Sequence, residues 1–285
     1  MRQLAILTEK EHYAPGELVK GQIVVSTTKD FNCNRIVLEI RGKEYTHYQA
    51  GKVHVSETRV VLTEDITVYD GGTIYSGDTE FEFEFGLPEN IPPAHSGFYG
   101  TIQYSIQAVA EVDRSMDPKS KIDLKVTSQP PRYIPEPELA SEPIRREEEQ
   151  LLVEVPTDVL RAKQGFQVRI LVRERSRVKG VRIEIHRQED VVCQRHRLES
   201  KVLITEKRIP ITVSDFDRWI DEVIEFEWRA VTPFVAKLIK TSLILKVVME
   251  VGLAIDTFVE IPLQVSGEKT EDETDSDSVD LDLGW

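Results

Sequence analysis

The sequence predicts an all-β protein: two tandem, antiparallel, immunoglobulin-like β-sandwich domains followed by a disordered acidic C-terminal tail. Three observations carry this reading. Residues 80–85, Glu-Phe-Glu-Phe-Glu-Phe, alternate with the two-residue period of a strand that has one buried and one solvated face. The strand-like runs are short and bounded by Pro, Gly and Asp, and no long 3.6-residue apolar period interrupts them. Finally, one plan occurs twice. Residues 23–41 and 170–186 both read strand, polar turn, strand, and Glu39-Ile40 aligns with Glu184-Ile185. Residues 102–112 and 241–251 both end in Glu-Val, with Pro93 and Pro233 at similar distances upstream. Four features in one order indicate duplicated domains.

In chain order, residues 2–7 form a first strand. Residues 13–25 form a turn feeding a second: Pro15 presets φ, Gly16 supplies the permissive next position, and Leu18, Val19, Ile23, Val24 and Val25 give a β-branched run. Gly21 interrupts that run as a bulge or a close approach would. Strands follow over residues 44–48 and 54–61, with a turn at Asp70-Gly71-Gly72. In 80–85 the phenylalanines form one face and the glutamates the other; a solvated face explains the glutamates better than a cation site, since no converging ligands are visible. Residues 86–100 are a Pro- and Gly-containing loop, and residues 101–112 and 121–126 pair as a hairpin. The second domain runs through a strand at 151–155, a hairpin at 166–187 and strands at 191–204, 208–213, 224–228, 242–251 and 257–265, with a turn expected at Glu189-Asp190 and a helical turn capped by Ser214 in 214–222.

The expected division is therefore 1–128 as the first domain, 129–150 as a linker with five prolines, 151–266 as the second domain, and 267–285 as the tail. The chain of 285 residues is long enough for two cores, and its first residues lack the apolar run of a signal peptide. Cys33 and Cys193 fall in different domains, so a disulfide framework is not expected and a cytoplasmic location is. The net charge of −14 is unevenly spread: residues 161–208 carry 14 Lys/Arg against 6 Asp/Glu, and residues 267–285 carry one against eight.

No phosphate loop, Gly-x-Ser-x-Gly elbow, His-Glu-x-x-His or Cys-x-x-Cys is present. The six histidines are scattered; His186 and His196 flank Glu189-Asp190, but two solvated histidines are the better reading than a metal site. The expectation is a non-enzyme without metal or cofactor.

An ordered set of motifs resembles the arrestin-like superfamily, which includes arrestins, alpha-arrestins and a related retromer subunit. The set is Tyr13, Pro15-Gly16-Glu17 and Gly21 with Ile23-Val24-Val25, then Phe81/Phe83/Phe85, Leu87-Pro88, Pro92-Pro93, Gly97, Gly100 and Ile102/Tyr104. Pro233 and Ile261-Pro262-Leu263 extend it into the second domain. The first domain shows no clear amphipathic helix, a departure from arrestins that points to the broader superfamily.

The resemblance implies a non-catalytic scaffold that binds membrane-protein cytoplasmic tails or coat and sorting proteins, peripheral at membranes, with a retromer-type coat subunit as the alternative. It also implies recruitment of extended peptides along an exposed edge of the first sandwich, expected at residues 4–8 and 18–25. A reading of another class is an anionic-ligand or nucleic-acid binder using Arg169, Arg173, Arg175, Arg182, Arg195 and Arg197 as a basic face. The acidic total and the absence of aromatics on these strands count against nucleic acid. In the tail, Leu281, Leu283 and Trp285 alternate with Asp280 and Asp282, as in a docking motif, either for another protein or for the chain's own arginine-rich face.

Overall fold

The computed structural model describes residues 2–113, 116–135, 142–161, 165–174, 178–225, 232–252 and 255–268. These fold into β-strands, and the single helical element described is a 3₁₀ turn at Val213–Asp215. The expected helical turn is thus shorter and starts earlier: Thr212 is its cap, sharing a capping box with Asp215, and Trp219–Ile224 is a strand.

Two compact units are present. The first comprises residues 1–129, 189–200 and 234–240, and the second 130–188, 201–233 and 241–285.

In the first unit, β1 (Arg2–Thr8), β3 (Leu18–Thr27) and β8 (Gly77–Gly86) form a three-stranded sheet in the order β1-β3-β8. The facing sheet has the order β2 (His12–Tyr13), β11 (Lys119–Val126), β10 (Gly100–Glu111), β5 (Arg35–Ala50) and β6 (Val53–Tyr69), with β9 (His95–Ser96) also paired to β10. Short strands β4 (Phe31–Cys33) and β7 (Gly72–Ile74) pair with each other. The segments expected at 44–48 and 54–61 belong to the long β5–β6 hairpin.

The Pro15-Gly16 corner is a tight turn closed by Glu17 N donating to Ala14 O at 3.1 Å, with Gly16 at φ +83°. Tyr13, only 1% exposed and two residues before Pro15, lies in the core. Gly21 is a close-approach point: a Cβ there would stand 2.6 Å from the Phe83 ring and overlap the Leu7 carbonyl. Phe83 and Phe85 are buried, and Phe81 is half-buried against Tyr69 with ring centroids 4.9 Å apart. Strand β10 brings Ile102, Tyr104, Ile106, Ala108 and Ala110 into the same core.

In the second unit, β12 (Ile144–Glu148), β13 (Leu151–Val155), β15 (Phe166–Val172) and β18 (Trp219–Ile224) form one sheet in that order. Strand β12 lies within the stretch read as linker. The other sheet has the order β14 (Val159–Arg161), β20 (Thr257–Ser266), β19 (Ile239–Val251), β16 (Val178–Cys193) and β17 (His196–Pro210). This repeats the order of the larger sheet in the first unit. Both begin with a short strand that pairs in parallel, β2 on β11 and β14 on β20. The duplicated plan in the sequence is a duplicated strand order in space.

Candidate interaction surfaces

The first surface is the edge of the three-stranded sheet. Strand β3 is hydrogen-bonded on both sides, to β1 through Arg2↔Thr27 to Thr8↔Gly21 and to β8 through Leu18↔Gly86 to Thr27↔Gly77. The edge expected at 18–25 is therefore a central strand. Strand β1 ends the sheet, and among the described residues no strand pairs with its other side. Ile6 points inward, while Ala5 and Leu7 point outward, Leu7 being 51% exposed. Residues 3–8 carry no charge. The opposite edge strand, β8, places Asp78, Glu80, Glu82 and Glu84 on its exposed face. Charge on an edge strand is how sheets discourage further pairing, so β8 is protected, while β1 is an edge strand with no second strand beside it among the described residues.

The second feature, which sequence reasoning missed, is a pair of buried carboxylates in the first unit. Strand β16 runs straight through Glu189-Asp190 and ends at Cys193; the turn is Gln194-Arg195, with φ +46° and +73°. Both residues are left-handed without glycine, so the turn carries no Gly or Pro signal. Its seating uses Gln194 N to Glu57 Oε2 at 2.7 Å and Gln194 Nε2 to Ser56 O at 2.9 Å.

Glu189 is consequently a strand residue, 3% exposed. Its Oε2 accepts from Phe98 N at 2.8 Å and Ser200 Oγ at 2.9 Å, and its Oε1 stands 3.4 Å from His95 Nε2. Burial alone would push this carboxyl up; the bonds from His95, Ser200 and the amides of Phe98 and Tyr99 outweigh it and hold it at about 2. The loop is shaped around the acid, since a Cβ on Gly97 would overlap the carboxylate. Glu44, 1% exposed, does the reverse duty: its Oε1 accepts from Leu238 N at 2.7 Å and Ile239 N at 2.8 Å. Both carboxylates accept from consecutive backbone amides, and those of Leu238 and Ile239 belong to buried residues that would otherwise lack a partner. The available signal was Gly97 and Gly100 flanking an aromatic pair.

The third feature concerns the predicted arginines. On the outer face of the sheet β12-β13-β15-β18, Arg145, Glu154, Arg169 and Asp221 form one row with a single residue per strand. Arg145 Nη2 bonds Glu154 Oε2 at 2.5 Å, Arg169 Nη1 bonds Glu154 Oε1 at 2.7 Å, and Arg169 Nε bonds Asp221 Oδ1 at 2.8 Å. Arg145 beside Glu154, with Arg169 on its other side, lowers the Glu154 carboxyl. Trp219 lies under both guanidiniums, at 5.7 and 4.9 Å.

Arg173 pairs with Glu147 at 2.9 Å. Arg182 is on the other sheet, among Glu184, Glu250 and Asp256, with Glu250 nearest at 3.0 Å. Arg195 and Arg197 are exposed in the first unit, at the Gln194-Arg195 turn and the start of β17. The structure thus distributes these arginines over two sheets and both units, and gives Arg169, Arg173 and Arg182 acidic partners. Arg175 and the tail residues Asp280, Leu281, Asp282, Leu283 and Trp285 lie outside the described residues.

Cys33 and Cys193 are buried free thiols, and burial raises the Cys33 thiol. Among the described residues no group of three or more His, Cys, Asp or Glu side chains is arranged to hold a metal ion, and no helix is long and apolar enough to cross a membrane. His186 instead faces Glu184, with Nε2 at 2.8 Å from Oε2.

Residues 3–130 match the family model described as "Arrestin (or S-antigen), N-terminal domain". The chain is also similar to Arrestin domain-containing protein 17 of Caenorhabditis elegans, at 24% identity over 119 residues, covering 36% of this chain. The match spans 28% of the length of that relative.

Proposed function

Because this chain is arrestin-like, carrying an arrestin N-terminal domain over residues 3–130, we propose that it is a non-catalytic adaptor. It holds extended segments of other proteins, namely cytoplasmic tails of membrane proteins or their sorting partners, and works in the cytoplasm and peripherally at membranes. The observation that carries this reading is the edge strand β1 in that domain, which pairs on one side alone among the described residues and whose residues 3–8 carry no charge. An edge strand offers a row of backbone donors and acceptors, and strand addition binds a segment through its main chain. The repeated strand order supports residues 151–266 as a second domain of the same kind, joined through 129–150. The tail, through Leu281, Leu283 and Trp285, supplies a docking motif for a partner or for the chain's own arginines.

The test is affinity capture from a detergent-solubilised cell extract with the full chain and with a chain lacking residues 267–285, followed by direct binding of the purified segments. Recovery of membrane-protein tails or sorting proteins that bind directly is expected. Recovery of neither class overturns the proposal. Recovery of coat subunits alone favours a retromer-type role. A nucleic-acid role has less support, because Arg169, Arg173 and Arg182 already carry acidic partners; salt-sensitive retention of nucleic acid in a filter assay would reopen it.

A further inference from the structure

The outer face beside the β1 edge has its own chemistry. Reading across the strands, its rows are Gln3–Ser26–Asp78, Ala5–Val24–Glu80 and Leu7–Gln22–Glu82, followed by Lys20–Glu84 beside Glu9. A groove of about 510 Å³ crosses this face, with Leu7 and Glu9 on the β1 side, Lys20 and Gln22 in the middle, and Glu82 and Glu84 on the far side. Five exposed acids therefore overlook the groove and the face: Glu9, Asp78, Glu80, Glu82 and Glu84. The neighbouring bases are engaged. Lys20 Nζ is 3.4 Å from Glu84, Lys10 is paired with Glu17, and the Arg2 guanidinium lies 4.3 Å over the Phe31 ring.

We infer that the segment received at the β1 edge is an extended basic peptide without phosphate, whose alternate Lys or Arg side chains run across Leu7 into this acidic groove. The inference rests on the proposed docking at β1 and adds the partner's charge to it. A strand added to β1 lies about 4.8 Å beyond it and sends every second side chain over the outer face. Backbone pairing supplies affinity without sequence choice, so the groove supplies the selection. A phosphorylated segment would bring up to two negative charges per phosphate towards the acids and be repelled. The chain's own tail, with eight acids against one lysine, is excluded on the same ground.

The experiment uses the full chain and three capped seven-residue peptides with valine at alternate positions. The positions between carry arginine in the first, glutamate in the second and phosphoserine in the third. Binding is measured at low and high salt, and amide exchange is followed at Leu4–Leu7. The arginine peptide is expected to slow exchange at Leu4–Leu7 and to bind about tenfold more tightly than the glutamate peptide at low salt. That advantage should be lost in the Glu82→Gln, Glu84→Gln double variant, whose substitutions are exposed and leave folding intact. Equal binding of the arginine and glutamate peptides overturns the charge inference and leaves the docking edge standing. Tighter binding of the phosphoserine peptide also overturns it. Unchanged exchange at Leu4–Leu7 with every peptide removes the edge itself. Protection that grows with protein concentration alone assigns the edge to a second copy of this chain and overturns the proposal.

Discussion

Glu189 and Gly97 occupy one space: the carboxylate of the first fills the volume that a side chain on the second would need. Glu189 is thereby held against the Phe98 and Tyr99 amides while remaining 3% exposed. Gly97→Ala should destabilise the protein by about 1–3 kcal/mol through overpacking against a group that cannot retreat. Urea unfolding of the full chain measures it; an unchanged midpoint would show that the loop can shift away.

Glu189 also makes stability depend on acid. Its folded-state carboxyl, at about 2, is depressed below the usual carboxylate range. It therefore contributes stability that is complete above about pH 4.5 and is lost as the pH falls towards 2, by roughly 3 kcal/mol at full extent. Glu189→Gln should lower stability at pH 7 by a similar order and flatten the dependence between pH 4.5 and 2. Parallel pH profiles for the two proteins would mean that other carboxylates carry the transition.

The two faces of β8 should respond oppositely. Phe83→Ala should cost about 3–5 kcal/mol, since the ring is 7% exposed beneath β3. Glu82→Ala, on the exposed face, should stay within about 0.5 kcal/mol. Chemical denaturation distinguishes them, and comparable losses would contradict the assignment of faces.

Arg169 and Arg197 should separate a structural arginine from a surface one. Arg169→Ala leaves Glu154, 6% exposed, with Arg145 alone, and should lower the melting temperature more than Arg197→Ala does. Arg197→Ala should change stability by less than about 0.5 kcal/mol. Thermal melts of both variants at equal salt provide the comparison.

What could be read from the sequence followed the range of the interactions. The faces of 80–85, the Pro15-Gly16 corner and the duplicated plan are local or periodic, and the structure carries all three. Strand order is non-local. Residues 18–25 have the same pattern whether at an edge or in the centre, and only pairing with both Thr8 and Phe83 at Gly21 makes them central. The row Arg145–Glu154–Arg169–Asp221 draws on four separate strands, so its neutralised charges looked like a basic surplus in sequence. Glu189 was assigned to a turn because Glu-Asp is polar. The parity of Val191 and Cys193, buried on the same side, was the signal that the strand continued.

The first unit is also unusual in time. Its core includes Val191, Leu238 and Ile239, and Glu44 is satisfied by the amides of residues 238 and 239. A nascent chain released only as far as residue 129 has the matched domain but not these groups. At ~5–20 residues per second of synthesis, the last of them follows on the order of ten seconds later. Until then Glu44 lacks its amide donors and the apolar surface awaiting Leu238 and Ile239 is open, so the ribosome-bound domain is a natural client for a chaperone that shields exposed hydrophobic patches.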